Sequence, residues 1–230
     1  MEDTVAALTS ESAAPWSFPA RLLLARSYCA LGRVEPAAKT IADLRSLMGR
    51  HVAVFEPQLC IAESWLAATQ GHVTGAITAA LEAADLAERS GQRAIEMLAL
   101  HDAARFGDRS SLQRLVEVAE SVSGPLATAY AAHGVGLLNC DAAAVYSAAQ
   151  RFEQIGALLP AADAAAQAAT LFEAAGDRCR TIEAARRSGS SRRGVRRDPD
   201  TGAGDVLASA AVESAGMRDR QHGRPGLEHP

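Results

Sequence analysis

Residues 74–107, TGAITAALEAADLAERSGQRAIEMLALHDAARFG, show the pattern from which the fold can be predicted. In the first half, apolar residues recur at the three- and four-residue spacing that places them on one face of a helix. These residues are Ile77, Ala80, Leu81, Ala84 and Leu86. Gly91 then ends the helix, and the second half predicts another helix that begins at Arg93 and ends at Gly107. The stretch therefore predicts a pair of helices, each ended by a glycine.

The same pair of helices recurs along the chain. Two interleaved series of helix breaks have separations of about 32 to 42 residues, most of them near 34. The series are Gly32, Gly71, Gly107, Asp141 and Gly176, and Gly49, Gly91, Gly124 and Gly156. No run shows the alternation and the β-branched content typical of strands. We therefore predict an all-α fold of antiparallel helix hairpins, stacked as a tetratricopeptide-like right-handed superhelix.

The periodic pattern also predicts the limits of the helices and of the repeat domain. The predicted helices cover about residues 16–31, 36–48, 56–69, 74–90, 93–106, 111–123, 126–138, 142–155, 161–175 and 178–187. Ser110 or Ser111 is the predicted N-cap of the sixth helix, and Asp141 is that of the eighth. The predicted domains are a frayed N-terminus (1–14), a tetratricopeptide-like repeat domain (15–187) and a disordered tail rich in Arg, Gly and Ser (188–230).

The composition describes a mildly acidic chain of 230 residues with 48% hydrophobic residues and a formal net charge of −4. This charge gives no overall attraction to nucleic acid, which would require a local basic patch. No apolar run is long enough to span a membrane, and Glu2 and Asp3 are unlike the basic start of a signal peptide. We expect a cytoplasmic protein whose cysteines, which lack zinc-ligand spacing, are buried thiols. They are Cys29, Cys60, Cys140 and Cys179.

No pattern of catalytic or metal-binding residues stands out. The chain contains no HExxH, GxSxG or GxxxxGK[ST] motif. His101 and Asp102 are adjacent in the middle of a predicted helix, and we interpret them as part of a solvated face rather than as an acid–base pair. His133 has no partner that the sequence identifies. We predict that the protein is not an enzyme and has no catalytic residue, cofactor or metal.

Two groups of residues are candidates for binding. The concave face of a repeat array is its usual ligand surface, and aromatic side chains there could anchor a peptide. The candidate peptide-binding anchors are Trp16, Trp65, Tyr130 and Tyr146, with a place in the core as the alternative. The second group is a cluster of arginines that could contact phosphates of a nucleic acid, with a solvated linker as the alternative. These are Arg186, Arg187, Arg192, Arg193, Arg196 and Arg197.

Three segments carry a resemblance to a known family. They are FEQIGALLPAADAAAQAA (152–169), LFEAAG (171–176) and PWSFPARLLLAR (15–26). They resemble the helical-repeat arm of large ATP-binding transcriptional regulators of the LuxR type, which are common in mycobacteria and other actinobacteria. The resemblance covers about residues 15–187. It implies a regulatory role in which the arm contacts a protein or a peptide, or associates with itself.

In that family an ATPase precedes the arm, and a helix-turn-helix that binds DNA follows it. The chain has no phosphate-binding loop for the first part and no readable helix-turn-helix after Arg187. Plausible codons for residues 217–230, read with a shift of one nucleotide, can encode a segment that is similar to a LuxR-type helix-turn-helix. We therefore expect a non-enzymatic interaction module of a truncated LuxR-type regulator. The alternatives are a DNA-binding regulator that uses its basic tail, and an inert remnant of a disrupted regulator gene.

Overall fold

The computed structural model describes residues 14–195, and within this range the chain is all-α, as predicted. The helices are α1 (Ala14–Ala30), α2 (Val34–Ser46), α3 (Glu56–Thr69), α4 (Val73–Arg89), α5 (Arg93–Arg105), α6 (Leu112–Ser121), α7 (Pro125–Leu138), α8 (Ala142–Ile155), α9 (Leu158–Ala174) and α10 (Arg178–Val195). A 3₁₀ turn, Ala53–Phe55, precedes α3. The described range contains no β-strand, and none of its helices is long and apolar enough to cross a membrane.

Most helices end at a glycine in the left-handed backbone region, as the breaks predict. At the end of α4, Gly91 has φ +70°, and the N–H of Gln92 donates to the carbonyl of Ala87 at 2.8 Å. A side chain at such a position would strain the backbone, which explains why glycine recurs there. The turn between α7 and α8 is an exception, since Cys140 has φ +52° there. It is the only non-glycine residue with positive φ in the described range.

The N-termini of α6 and α8 test the predicted caps. Asp141 caps α8, because its Oδ1 accepts hydrogen bonds from the backbone N–H groups of Ala143 and Ala144 at 2.9 and 3.0 Å. Ser111 occupies the N-cap position of α6, as predicted, but its side chain makes no capping hydrogen bond. In the turn that precedes α6, the carboxylate of Asp108 accepts from the N–H of Ser110 and the N–H of Ser111 at 3.3 and 2.9 Å.

Consecutive helices pack against each other, and the odd-numbered helices also contact one another. The main contacts between non-consecutive helices join α1 to α3, α3 to α5, α5 to α7, and α5 to α9. The last pair belongs to two hairpins that are not neighbours in the chain. In an open repeat array each hairpin touches only its neighbours. Here α5, α7 and α9 meet at one place. The layer formed by the odd-numbered helices therefore brings α5 into contact with α9, which belongs to a hairpin that is not its neighbour.

Small side chains let the helices approach closely. Five alanines of α4 are fully buried, namely Ala76, Ala80, Ala83, Ala84 and Ala87. On α7, a Cβ added to Gly136 would lie 2.9 Å from the backbone nitrogen of Val145 in α8. This distance is shorter than the van der Waals contact of two such atoms. The absence of a side chain at Gly136 is therefore what allows α7 and α8 to pack at their observed distance.

The C-terminal helix extends beyond its predicted end at Arg187 and continues to Val195. The prediction of disorder was therefore wrong for residues 188–195. Ser191 is buried and its Oγ donates to Glu153 of α8 at 2.7 Å, while Arg192 donates to Asp163 of α9 at 3.1 Å. These contacts stabilise a segment whose Ser- and Gly-rich composition does not favour a helix. The predictions for residues 1–13 and 196–230 lie outside the described residues.

Candidate functional site

Polar side chains of the inner helices meet in the interior of the protein. We call this group the inner polar network; it consists of Trp65 of α3, His101, Asp102 and Arg105 of α5, Tyr130 and His133 of α7, and Asp163 and Gln167 of α9. All are buried except Asp163 and Gln167, which are partly buried. The prediction of a solvated face at His101 and Asp102 was wrong, since both side chains are completely inaccessible to solvent.

One half of the network is built on charge. Asp102 accepts hydrogen bonds from Trp65 Nε1 and from Arg105 Nη1, each at 2.8 Å. Arg105 donates from Nε and Nη2 to Asp163 Oδ2 at 2.9 and 2.6 Å, and its guanidinium lies 4.5 Å from the centre of the Trp65 ring. Burial alone would lower the pKa of Arg105, but the charges of Asp163 and Asp102 outweigh it and raise that pKa. The buried arginine therefore stays charged and joins α3, α5 and α9.

The other half of the network is a chain of neutral hydrogen bonds. His133 Nε2 lies 2.9 Å from Gln167 Oε1, and Gln167 Nε2 donates to the carbonyl of Ala104 at 2.8 Å. Because an amide oxygen only accepts, the neutral His133 ring carries its proton on Nε2. Its Nδ1 then accepts from His101 Nε2 at 3.0 Å. The bonds all run in one direction, from α5 to α7 to α9 and back to the backbone of α5.

Burial determines the protonation of the two histidines. It lowers the pKa of His133 to about 4, and the nearby charge of Arg105 adds to this effect. Burial, the repulsion that a protonated His133 would exert and the charge of Arg105 also lower the pKa of His101 well below its ordinary value. The ring of His101 stacks on Tyr130 with 3.9 Å between ring centres, and its Nδ1 has no hydrogen-bond partner in the described structure. Both rings are neutral at pH 7 and shielded from solvent, which suits a structural role better than proton transfer to a substrate.

The sequence contains a signal for this network that composition and short motifs do not show. His101 and His133 are 32 residues apart, and His133 and Gln167 are 34 apart. Both separations are close to one repeat, so the three side chains occupy equivalent places on α5, α7 and α9. Polar residues that recur at the repeat spacing, and not within one helix, therefore identify the network.

An open pocket lies between the last three helices. It has a volume of about 280 Å³ and is lined by Ala143 and Tyr146 of α8, Phe172 of α9, and Arg180 and Glu183 of α10. Tyr146 donates its hydroxyl proton to Glu183 at 2.7 Å and accepts from Arg187 Nε at 2.8 Å. The Tyr146 and Phe172 rings meet edge to face with 6.3 Å between centres. The pocket thus has aromatic walls and a rim that carries charges of both signs.

The structure places the four candidate peptide anchors in different environments. Trp65 and Tyr130 are 5% and 3% exposed, so they take the alternative role in the core and present no surface to a partner. Trp16 is 69% exposed on α1, far along the chain from the pocket. Tyr146 is half-buried and forms a wall of the pocket. Tyr146 is thus the candidate that combines an accessible aromatic ring with a concave surface.

The arginine cluster is divided in a similar way. Arg187 binds Glu153 at 2.5 Å and Arg192 binds Asp163 at 3.1 Å, so carboxylates of α8 and α9 neutralise them. Arg186 and Arg193 are exposed on α10. Arg196 and Arg197 lie outside the described residues. The four arginines that the structure describes therefore do not form one basic surface.

The prediction that all four cysteines are buried was wrong for two of them. Cys29 and Cys60 are buried, and burial raises the pKa of the Cys29 thiol to about 11. Cys140 and Cys179 are exposed, because one lies in the turn after α7 and the other on the outer side of α10. Among the described residues, no three side chains of His, Cys, Asp or Glu come together in a way that could hold a metal ion. No protein-family model, curated protein or solved structure matches the chain.

Proposed function

We propose that this protein is a tetratricopeptide-like interaction module that binds a peptide segment of a partner protein in the pocket between α8, α9 and α10. The observation that carries the proposal is the open cavity of about 280 Å³ beside Tyr146. Aromatic walls favour an apolar side chain as the anchor, since burying such a side chain contributes about 1.5–3 kcal/mol. The resemblance of residues 15–187 to the arm of LuxR-type regulators supports a role in transcriptional regulation.

The charged rim of the pocket indicates which peptides would fit. Arg180 lies with its guanidinium 5.6 Å from the centre of the Phe172 ring, and Glu183 already accepts a hydrogen bond from Tyr146. An acidic side chain next to the apolar anchor would lie close to Arg180. In the free protein Arg180 pairs with Asp177 at 3.5 Å, and the peptide carboxylate would take the place of Asp177. Exposed pairs of this kind exchange partners at little cost. We therefore expect an apolar anchor flanked by an acidic residue.

The test is selection of peptides from a random display library on the complete chain, followed by affinity measurements in solution. Ala143→Leu fills the pocket from an exposed position on α8, and Ala185→Leu makes the same change at an exposed position of α10 that does not line the pocket. We expect Ala143→Leu to lower the affinity for the selected peptides at least tenfold and Ala185→Leu to leave that affinity unchanged. A library that yields no binder, or binders that tolerate Ala143→Leu, would contradict the proposal.

A further inference from the structure

We propose that the His101–His133 pair is a proton-operated joint that holds α5, α7 and α9 together at neutral pH and releases them in acid. The joint is independent of peptide binding, because neither histidine lines the pocket beside Tyr146.

The direction of the hydrogen bonds makes the pair sensitive to protons. At neutral pH His101 Nε2 donates to His133 Nδ1 over 3.0 Å, and His133 Nε2 donates to Gln167. An imidazolium ion has donors on both nitrogens and no acceptor. When both rings are protonated, two N–H groups and two positive charges face each other across this distance. The bond that joins α5 to α7 then cannot form.

The first proton also has no favourable place inside the protein. The one unused acceptor of the pair is His101 Nδ1, which is completely buried and has no hydrogen-bond partner in the described structure. A proton there would create a buried charge whose N–H has no acceptor, and such a charge is costly to bury. Protons therefore bind well only after the helices separate and water reaches the rings.

The surrounding charges do not compensate the added protons. The charged and titratable groups that the packed helices contribute around the pair are Arg26 of α1, Asp102 and Arg105 of α5, Tyr130 of α7, Asp163 of α9 and Arg192 of α10. Helices α3 and α8 contribute the uncharged rings of Trp65 and Phe152. Both carboxylates are already bound to Arg105, and the guanidinium groups stay charged throughout the acid range. The two carboxylates near the pair are therefore already neutralised, and the other charges there are positive, so these groups together do not stabilise an added proton.

The joint has a consequence for the whole chain, since it lies where hairpins that are not neighbours meet. The Gln167 side chain bridges His133 to the carbonyl of Ala104, and Asp163 bridges Arg105 to Arg192. The His101–His133 bond is a third link at this junction and joins α5 to α7; its loss leaves only the links through Gln167 and Asp163. Acid should therefore loosen α7–α10 from α1–α6 before each half loses its helices.

Trp65 is the reporter for the test, because it donates to Asp102 inside the network. In a Trp16→Phe background it is the only tryptophan of the chain. We expect its fluorescence and its near-ultraviolet circular dichroism to change cooperatively between pH 6.5 and 4, while the far-ultraviolet signal of the helices persists. The unfolding equilibrium constant should rise about tenfold per histidine for each pH unit in this range.

Two variants and one direct measurement decide the outcome. His101→Gln/His133→Gln should remove this transition, and His72→Gln, at an exposed position, should leave it unchanged. The double variant keeps Asp102 and Asp163, so a transition that persists in it arises from carboxylates and overturns the proposal. If the double variant does not fold, imidazole titration of the wild-type protein by NMR replaces it. If the signals assigned to His101 and His133 titrate near the ordinary pKa of histidine, without a change at Trp65, the proposal would also be overturned.

Discussion

Replacement of Gly136 by alanine tests whether α7 and α8 approach as closely as the structure shows. The new Cβ would lie 2.9 Å from both the backbone nitrogen and the Cγ2 atom of Val145. A side chain could rotate away, but a backbone nitrogen moves only if the helix moves. Overpacking of this kind costs about 1–3 kcal/mol, and the conflict with the backbone favours the upper part of that range. The higher helix propensity of alanine offsets about 1 kcal/mol of this loss of stability. We expect Gly136→Ala to lower the free energy of unfolding by about 1–2 kcal/mol.

Gly75→Ala is the matched control, because Gly75 also lies within a helix and is exposed on α4. The nearest atom to its added Cβ is His72 Cβ at 3.9 Å, which is ordinary contact. This variant should gain about 0.5–1 kcal/mol. Gly134→Ala should fall between the two, since its Cβ would meet the side chain of Val116 at 3.0 Å and that side chain can adjust.

Urea unfolding followed by circular dichroism measures all three variants. The same chemical change should move the unfolding midpoint in opposite directions for Gly136 and Gly75. The expected difference of about 1.5–3 kcal/mol corresponds to roughly 1 M urea for a typical slope. A Gly136→Ala protein as stable as the wild type, or more stable, would refute the packing argument. A decrease in peptide affinity of the folded Gly136→Ala variant would in addition connect this contact to the pocket.

Four further results are expected. Cys140→Gly should raise the free energy of unfolding by about 0.5–1 kcal/mol in urea titrations, because φ +52° strains any residue with a side chain. Asp102→Asn should lower it by about 3 kcal/mol in the same assay, since it leaves the buried Arg105 with an incomplete set of partners. With the pKa of His133 at about 4 in the folded state and 6.5 when unfolded, stability should fall as pH drops through this window, by about 3 kcal/mol for this residue, and stay constant above it. Gel-shift titrations should detect no duplex binding even at low salt, because carboxylates already neutralise arginines such as Arg187; a salt-dependent shift would favour the DNA-binding alternative.

Most helix limits were predictable, because they depend on residues next to the limit. The predicted bounds of α3 and α8, Glu56–Thr69 and Ala142–Ile155, agree with the structure. A capping carboxylate such as that of Asp141 and a left-handed glycine such as Gly156 act within one turn of the helix. Their effect can therefore be read from neighbouring residues alone.

The pocket was predictable only in part. Tyr146 was a candidate because an aromatic residue in a helical repeat is either an anchor or part of the core. Phe172, Arg180 and Glu183 gave no such signal, since each is an ordinary residue of its own helix. They form a site because α10 docks along α8 and α9 as far as residue 195. That docking depends on contacts with residues about 30 to 40 positions away, which local patterns do not contain.

Apolar periodicity and glycine turns act over a few residues, so the paired helices and their order could be predicted from local patterns. Which polar residues are buried depends on how the helices pack. His101 and Asp102 look like a solvated pair along one helix, yet their partners come from α3, α7 and α5 itself. A polar group is stable in the interior only when another group satisfies its hydrogen bonds. Whether such a partner is within reach is settled by the packing of distant segments, which is where the network and its proton-sensitive joint arise.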